Sequence, residues 1–420
     1  MALPRRGELT FGGLKKLTPT RPHSTLFVFA TIFIDAIGFG LIMPVLPQLL
    51  MTVGGIGLSG AIEIGAWMGL GMAIAAFVSA PILGNLSDRF GRRPVLLVAL
   101  AFLALDYLLL AVANSLPLIF IARVLSGAFG GSYAPAMAAV ADLSTPEDRA
   151  KNFGYISAAF GVGFVLGPAL GGLLGEWGPR APFYVASALA ALNVLYGLLV
   201  FPETLVPENR RTFSWRRANP LGALAAIRAA PGMMGVVVVL ILWQIASLVY
   251  PLTWSFYAIA QLGWSSGMIG ASLAAVGLVI ALSQIFITGP AVKRFGERDA
   301  ATIGLVVAIA GFLTYAFVQE TWQAFAAMAF IALQSLVQPS LMAMLSRRAT
   351  PATQGEVQGI SAMALGIGSI VAPLILTAPM AWFTSDAGPV RFPGVAFLIA
   401  ALVGVLAIAL LRRLPRAQPG

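Results

Sequence analysis

At twelve places along the 420 residues the charges stop and an apolar run takes over, each about 20 residues long, the length a helix needs to cross the hydrocarbon core of a bilayer. The runs fall at roughly 26–50, 62–86, 94–113, 117–141, 153–175, 181–201, 232–258, 266–290, 300–318, 322–345, 358–380 and 394–411. In lipid every backbone N–H and C=O needs an internal partner, so runs of this length become helices. An all-α integral membrane protein with twelve transmembrane helices is the expectation. Composition agrees. Hydrophobic residues make up 59% of the chain and charged residues 10%, against roughly 25% charged in soluble domains, and mean hydropathy is +0.90. The first run is too long for a signal-peptide core and has no small-residue cleavage pattern after it, so it reads as a retained first helix.

The basic residues test the count, because cytoplasmic loops hold most Lys and Arg. With the N-terminus inside, the inner segments hold 23 of the 26, the outer loops hold Arg180 and Arg391, and Arg123 lies within the fourth run. Both termini are then cytoplasmic, and the net charge of +10 marks membrane orientation rather than nucleic-acid binding. Trp177, Trp264, Trp322 and Trp382 fall at outer helix ends, where indole rings favour the interface. With no cysteine in the chain, disulfides, thiolate metal sites and cysteine nucleophiles are excluded.

A shift of 205 residues lays Gly84, Arg89, Phe90, Gly91 and Arg93 on Gly289, Arg294, Phe295, Gly296 and Arg298. The same shift lays Thr145 and Pro146 on Thr350 and Pro351, and Gly154, Gly161, Gly163 and Pro168 on Gly359, Gly366, Gly368 and Pro373. One constant offset means duplication, and parallel halves about a central site are a recognised transporter plan. The expected order is a cytoplasmic tail (1–24), a six-helix half (25–201), a cytoplasmic linker (202–231), a second half (232–411) and a tail (412–420). Within the linker, Asn219 and Pro220 read as the start of a short amphipathic surface helix carrying Leu221, Leu224 and Ile227.

Two strings carry more than hydropathy. Residues 84–94 (GNLSDRFGRRP) form a charged stretch between two apolar runs and are expected to be a tight loop at the membrane face. With Gly84, Asp88, Arg89, Gly91, Arg92 and Arg93 in order, the string resembles the signature between helices 2 and 3 of major facilitator superfamily transporters. In the fifth run, Gly163, Gly167, Pro168, Gly171 and Gly172 give small residues at helical spacing, which permit close helix approach. Their order resembles the helix 5 signature of drug/proton antiporters, which implies export.

Charges inside the spans are few: Asp35, Asp106 and Arg123. A charge at the bilayer centre costs about 2.5–3.5 kcal/mol on insertion scales, so these should face inward, and their depths allow all three to meet in one layer. Arg123 could simply neutralise one acid and pin helices together. Alternatively, two acids against one base leave one acid able to bind and release a proton, a physical basis for antiport.

At finer grain the chain resembles the tetracycline/proton antiporters, through DAIGFGLIMPVLP around Asp35, Asp106 before Tyr107, Arg123 with Gly127, and Gln284 with Thr288–Pro290. The resemblance implies proton coupling through Asp35 and Asp106, a gate at Asp88 and Arg92, and a substrate path near Gln284. It departs at Ile280 and Ala308, where the family has a histidine and an aspartate. The second half thus has no embedded ionisable group, leaving Gln244, Gln284, Gln334 and Gln338 as polar candidates. The family moves a cationic complex of drug and divalent metal. Here a metal would enter only as part of the substrate, and the proton gradient would supply energy without a cofactor.

The expected function is proton-coupled efflux of tetracycline-like or other amphipathic drugs across the bacterial inner membrane by a monomer, with the lipid bilayer, protons and a small molecule as its partners. Competing readings are a metabolite exporter, an importer or facilitator of the same superfamily, and a membrane sensor that transports nothing. An ATP-driven pump is disfavoured, because no GxxxxGK[ST] phosphate loop occurs.

Overall fold

The structure, a computed structural model, describes residues 21–130, 132–215, 218–220, 222, 233–347 and 354–414. Among them there is no strand. The first half consists of α1 (Arg21–Ile42 and Leu46–Gly54), α2 (Leu58–Phe90), α3 (Arg92–Val112), α4 (Leu116–Phe129 and Tyr133–Leu143), α5 (Pro146–Gly175) and α6 (Ala181–Val200). The second half opens with α7 (Met233–Ser247 and Val249–Leu262). A continuous 51-residue run, Ser266–Ala316, follows. At about 1.5 Å per residue it is more than twice the bilayer thickness, and it breaks at Gly296 into α8 (266–295) and α9 (297–316). Next come α10 (Thr321–Gln334 and Val337–Ser346), α11 (Gln354–Ala372, continuing to Thr384) and α12 (Val395–Arg413). Counting the first span as one helix bent by 53° gives twelve crossings.

The string 84–94 is not the loop its polarity suggests. α2 stays helical through Ser87, Asp88, Arg89 and Phe90, and only Gly91 leaves the helix, at φ +108. Gly296, 205 residues on, makes the same break at φ +76, so the duplication is visible in backbone angles. Both positions demand a residue without a Cβ. Trp264 also departs from expectation. It ends a helix, but its ring is buried and its Nε1 donates to Thr321 Oγ1 (3.0 Å) instead of anchoring in lipid. The surface helix expected after Asn219–Pro220 lies outside the described residues.

The two halves meet along α5 against α8 and α2 against α11, and the contact is one-sided. At the end away from the arginine-rich connections the backbones touch. A Cβ on Gly172 would lie 2.6 Å from Ser266 O, one on Gly270 2.8 Å from Gly172 Cα, and one on Gly65 2.9 Å from the Phe256 ring. Towards the basic end, Cβ atoms on Gly84, Gly154, Gly161, Gly289 and Gly359 would meet nothing within 4 Å. The closest contacts between the halves thus lie at the end away from the basic connections.

Candidate functional site

Asp35 lies on α1, Asp106 and Tyr107 on α3, Arg123 on α4 and Ser132 at the break within α4. Arg123 Nη2 donates to Asp106 Oδ2 in a fully buried ion pair. Asp35 is not part of it. Its Oδ2 accepts from Ser132 Oγ, and its Oδ1 is buried with no hydrogen-bond partner among the described residues. Tyr107, next to Asp106 in the chain, is buried and packs its hydroxyl on the bare Cα of Gly38, three residues along α1 from Asp35. The three expected residues therefore share one layer, but as a neutral pair plus a lone carboxylate. At an offset of 205 the second half puts Leu240, Gly311 and Met328 in place of Asp35, Asp106 and Arg123, all buried. Its core is instead aromatic: Trp254, Tyr257, Tyr315 and Phe397 pack at centroid spacings of 5.0–6.4 Å.

The string 84–94 builds a charged cluster at the basic end. Arg92 donates to Asp88 (2.6 Å), to Ser87 Oγ (3.1 Å) and, from Nε, to Asp142 on α4 (3.2 Å). Glu203, just past α6, accepts from the backbone N–H groups of Arg92 (2.8 Å) and Arg93 (3.3 Å), satisfying N-terminal donors of α3 with a carboxylate. Arg93 Nη2 donates to Leu198 O (2.7 Å), and Arg211 N to Asp88 O (3.0 Å). Arg89 lies over the Phe90 ring at 4.9 Å. Every one of these partners belongs to the first half or the linker. In the second half Lys293, Glu297 and Arg347 occupy the positions of Asp88, Arg92 and Asp142, and Arg347 pairs with Glu297 at 2.6 Å. The cluster is duplicated with its signs reversed.

The glycines of α5 serve two neighbours. Cβ atoms on Gly163 and Gly167 would meet α1 at 2.7 Å (Ala36 Cβ) and 2.5 Å (Ile37 O), and Gly171 also faces α1, at Leu41. Gly172 faces α8, and Pro168 touches both, Gly40 of α1 through its ring and Gly270 of α8 through its carbonyl. Just beyond, Glu176 accepts from Gly267 N (2.6 Å), at the first turn of α8. That bond and the Ser265 hydroxyl hold its carboxyl below the usual carboxylate range.

Of the glutamines, Gln244 Nε2 donates to Ser369 Oγ (3.4 Å) and Gln334 accepts from the Tyr250 hydroxyl (3.5 Å). Gln338 is half-buried. Gln284 is exposed at the start of a π-helical segment, Gln284–Thr288. It lies two further turns along α8 from Gly277, which still meets Val165 of α5. None of the four contacts the acid layer. Sequence reasoning missed Ser132, Asp142, Glu203 and Glu176. Glu203 and Asp142 had a weak signal, as acids at the ends of spans beside the arginine-rich string.

This layout of twelve helices, two sign-reversed basic turns and a glycine seam between halves matches a known family. The sequence pattern describing the Major Facilitator Superfamily matches residues 28–260 and 245–420. The chain belongs to the Major Facilitator Superfamily. It is a multi-pass membrane transporter and not an enzyme. The class C tetracycline resistance protein of Escherichia coli is 38% identical over 93% of this chain and 97% of its own length. Multidrug resistance protein 2 of Bacillus subtilis (strain 168) is 27% identical over 84% of this chain and 88% of its own length. Among solved structures, the nucleoside transporter NupG superposes with a TM-score of 0.75 at 17% identity, covering 94% of this chain and 99% of that one.

Proposed function

We propose that this chain exports tetracycline-like or other amphipathic drugs in exchange for protons. It acts as a monomer in the bacterial inner membrane, with both termini cytoplasmic and the two halves joined by the linker at 202–231. Its basic end then faces the cytoplasm, and the halves make their closest contact at the outer end. The relatives named for tetracycline and multidrug resistance support the substrate class.

The observation that carries the reading is the lone Asp35 carboxylate. Arg123 is neutralised by Asp106, so Asp35 can carry a proton in one state and offset a cationic drug in the other without disturbing the pair. Asp88, Arg92 and Asp142 hold the first half together at the basic end, while Gly163, Gly167 and Gly171 pack α5 on α1 and Pro168 and Gly172 close the far end against α8. Gln284, at the mouth, and Gln244 and Gln338 in the second half would contact substrate. No resident metal is needed; a divalent cation would travel bound to the drug.

The test is labelled tetracycline uptake into inverted vesicles under an imposed proton gradient, with lumenal pH recorded. Wild type is expected to exchange drug for protons. Asp35→Asn is expected to move no protons on drug addition and to hold a cationic drug less tightly. A variant that still changes lumenal pH on drug addition would overturn the role of Asp35. Uptake should also depend weakly on magnesium, because Ile280 and Ala308 bring no second-half charge to a metal complex.

A further inference from the structure

On the flank of the first half, α2 and α4 leave a groove of about 390 Å³ lined by Ile64, Trp67, Leu116, Pro117, Phe120 and Ile121. Every lining side chain is apolar, and the groove lies at the end away from the basic connections. Trp67 is 55% exposed, Ile121 52% and Phe120 37%. A Cβ on Gly71 would lie 3.0 Å from Val124 Cγ2 and 3.2 Å from Phe120 Cζ, so the two helices close on each other one turn further in.

That flank faces lipid and not the second half. Gly65 of α2 meets Phe256 of α7, and Gly69 meets Leu252 of α7 and Pro373 of α11. At about 100° per residue these two glycines point within about 40° of each other. Glu63, Trp67, Ile74 and Val78, all exposed, fall within about 60° of one another on the opposite side of the helix. Gly71, which meets α4, falls next to them.

Glu63 is the exception on this apolar flank. It stands one turn before Trp67, and among the described residues neither its carboxylate nor the Trp67 indole N–H has a partner. Helical side chains lean towards the N-terminus of their helix, which for α2 is the end at Leu58. Both polar groups therefore reach towards the membrane surface, at the level where headgroups lie and indole rings favour the interface.

We infer that this groove binds a phosphatidylethanolamine of the adjoining leaflet. An acyl chain fills the apolar walls, the headgroup ammonium donates to the Glu63 carboxylate, and the Trp67 N–H donates to an ester or phosphate oxygen. A donor-only ammonium suits an acceptor-only carboxylate. Phosphatidylcholine keeps the positive charge but has no N–H to donate, and phosphatidylglycerol brings an anion against the carboxylate. The site goes beyond drug export and uses no residue of the acid layer.

The test is photolabelling of the full chain in lipid nanodiscs with phosphatidylethanolamine, phosphatidylcholine or phosphatidylglycerol, each carrying the same diazirine acyl chain, with labelled residues mapped by mass spectrometry. Labelling of 64–67 and 116–121 is expected to be strongest with phosphatidylethanolamine and weakest with phosphatidylglycerol. Glu63→Gln is expected to lower labelling by phosphatidylethanolamine about 2- to 5-fold and to raise labelling by phosphatidylglycerol, an inversion that a loss of structure does not produce. Trp67→Phe, which keeps a ring and removes the N–H, is expected to lower all three alike. Equal labelling by the three lipids, a headgroup preference that survives Glu63→Gln, or crosslinks between two copies at this groove would overturn the inference. Displacement of the label by tetracycline would overturn it as well, by assigning the groove to drug.

Discussion

Two aspartates that look alike in the sequence have opposite duties in the structure. Asp106 shares a buried ion pair with Arg123, and breaking such a pair leaves an uncompensated charge, at a cost of about 3–5 kcal/mol. Asp106→Asn is therefore expected to lower the thermal midpoint of the detergent-purified protein sharply. Asp35→Asn removes no ion pair and should melt close to wild type while losing proton exchange. Fluorescence-monitored melting of the two variants side by side checks this, and equal destabilisation would contradict the division. Gly91 is a second critical residue. Its φ of +108 and the Glu203 carboxylate against its Cα leave no room for a side chain, so Gly91→Ala should cost about 1–3 kcal/mol from backbone strain alone. The three embedded charges were legible in the sequence because a charge in an apolar run is rare. Their pairing was not, since depth along a helix says nothing of rotation about it. Ser132 was illegible too, as one serine among many.

At the scale of elements, the seam of α5 and α8 is where alternation would act. A methyl on Gly270 would press on backbone, Gly172 Cα and the Pro168 carbonyl, which cannot yield as a flexible side chain can. Gly270→Ala is thus expected to hold the far ends apart and favour the opposite, outward-open state. The chain has no native cysteine, so single cysteines labelled with spin probes at Trp177 and Met268, both exposed, can report the separation of these ends directly. An unchanged distance distribution would show that the seam tolerates the methyl. Glu176 adds a bond between halves at the same place, and its pH dependence has a definite sign. Its carboxyl sits below the usual carboxylate range, so the bond to Gly267 is fully present above the ordinary value of about 4.3 and is lost only as pH falls through the lower, folded one. The labelled ends should stay together at pH 5 in wild type, while Glu176→Gln should loosen them at every pH. The glycine string predicted close packing, but its two-sided use, one face on α1 and one on α8, could not be read without knowing which helices are neighbours.

For the molecule as a whole, hydropathy and the offset of 205 were enough to read twelve helices in two halves, because a bilayer leaves the backbone few alternatives and duplication repeats its own breaks at Gly91 and Gly296. The mistaken loop at 84–94 has the opposite cause. Polar residues at a membrane face can end a helix or merely extend it into water, and hydropathy does not separate the two. The offset also carried something hydropathy ignores. Asp88, Arg92 and Asp142 carry a net charge of −1, and their counterparts Lys293, Glu297 and Arg347 carry +1. Both triads stand at the basic end, so closing that end brings triads of unlike net charge nearer. Replacing the first set by Asp88→Lys, Arg92→Glu and Asp142→Arg makes both clusters positive. Transport by this variant should be slow at low ionic strength and recover as salt screens the repulsion; a rate indifferent to salt would argue against attraction across the opening. The inversion also bears on ancestry. Two identical copies of either half, assembled as a homodimer, would set triads of like net charge against each other at that end, a repulsion that the opposite signs of the two halves avoid.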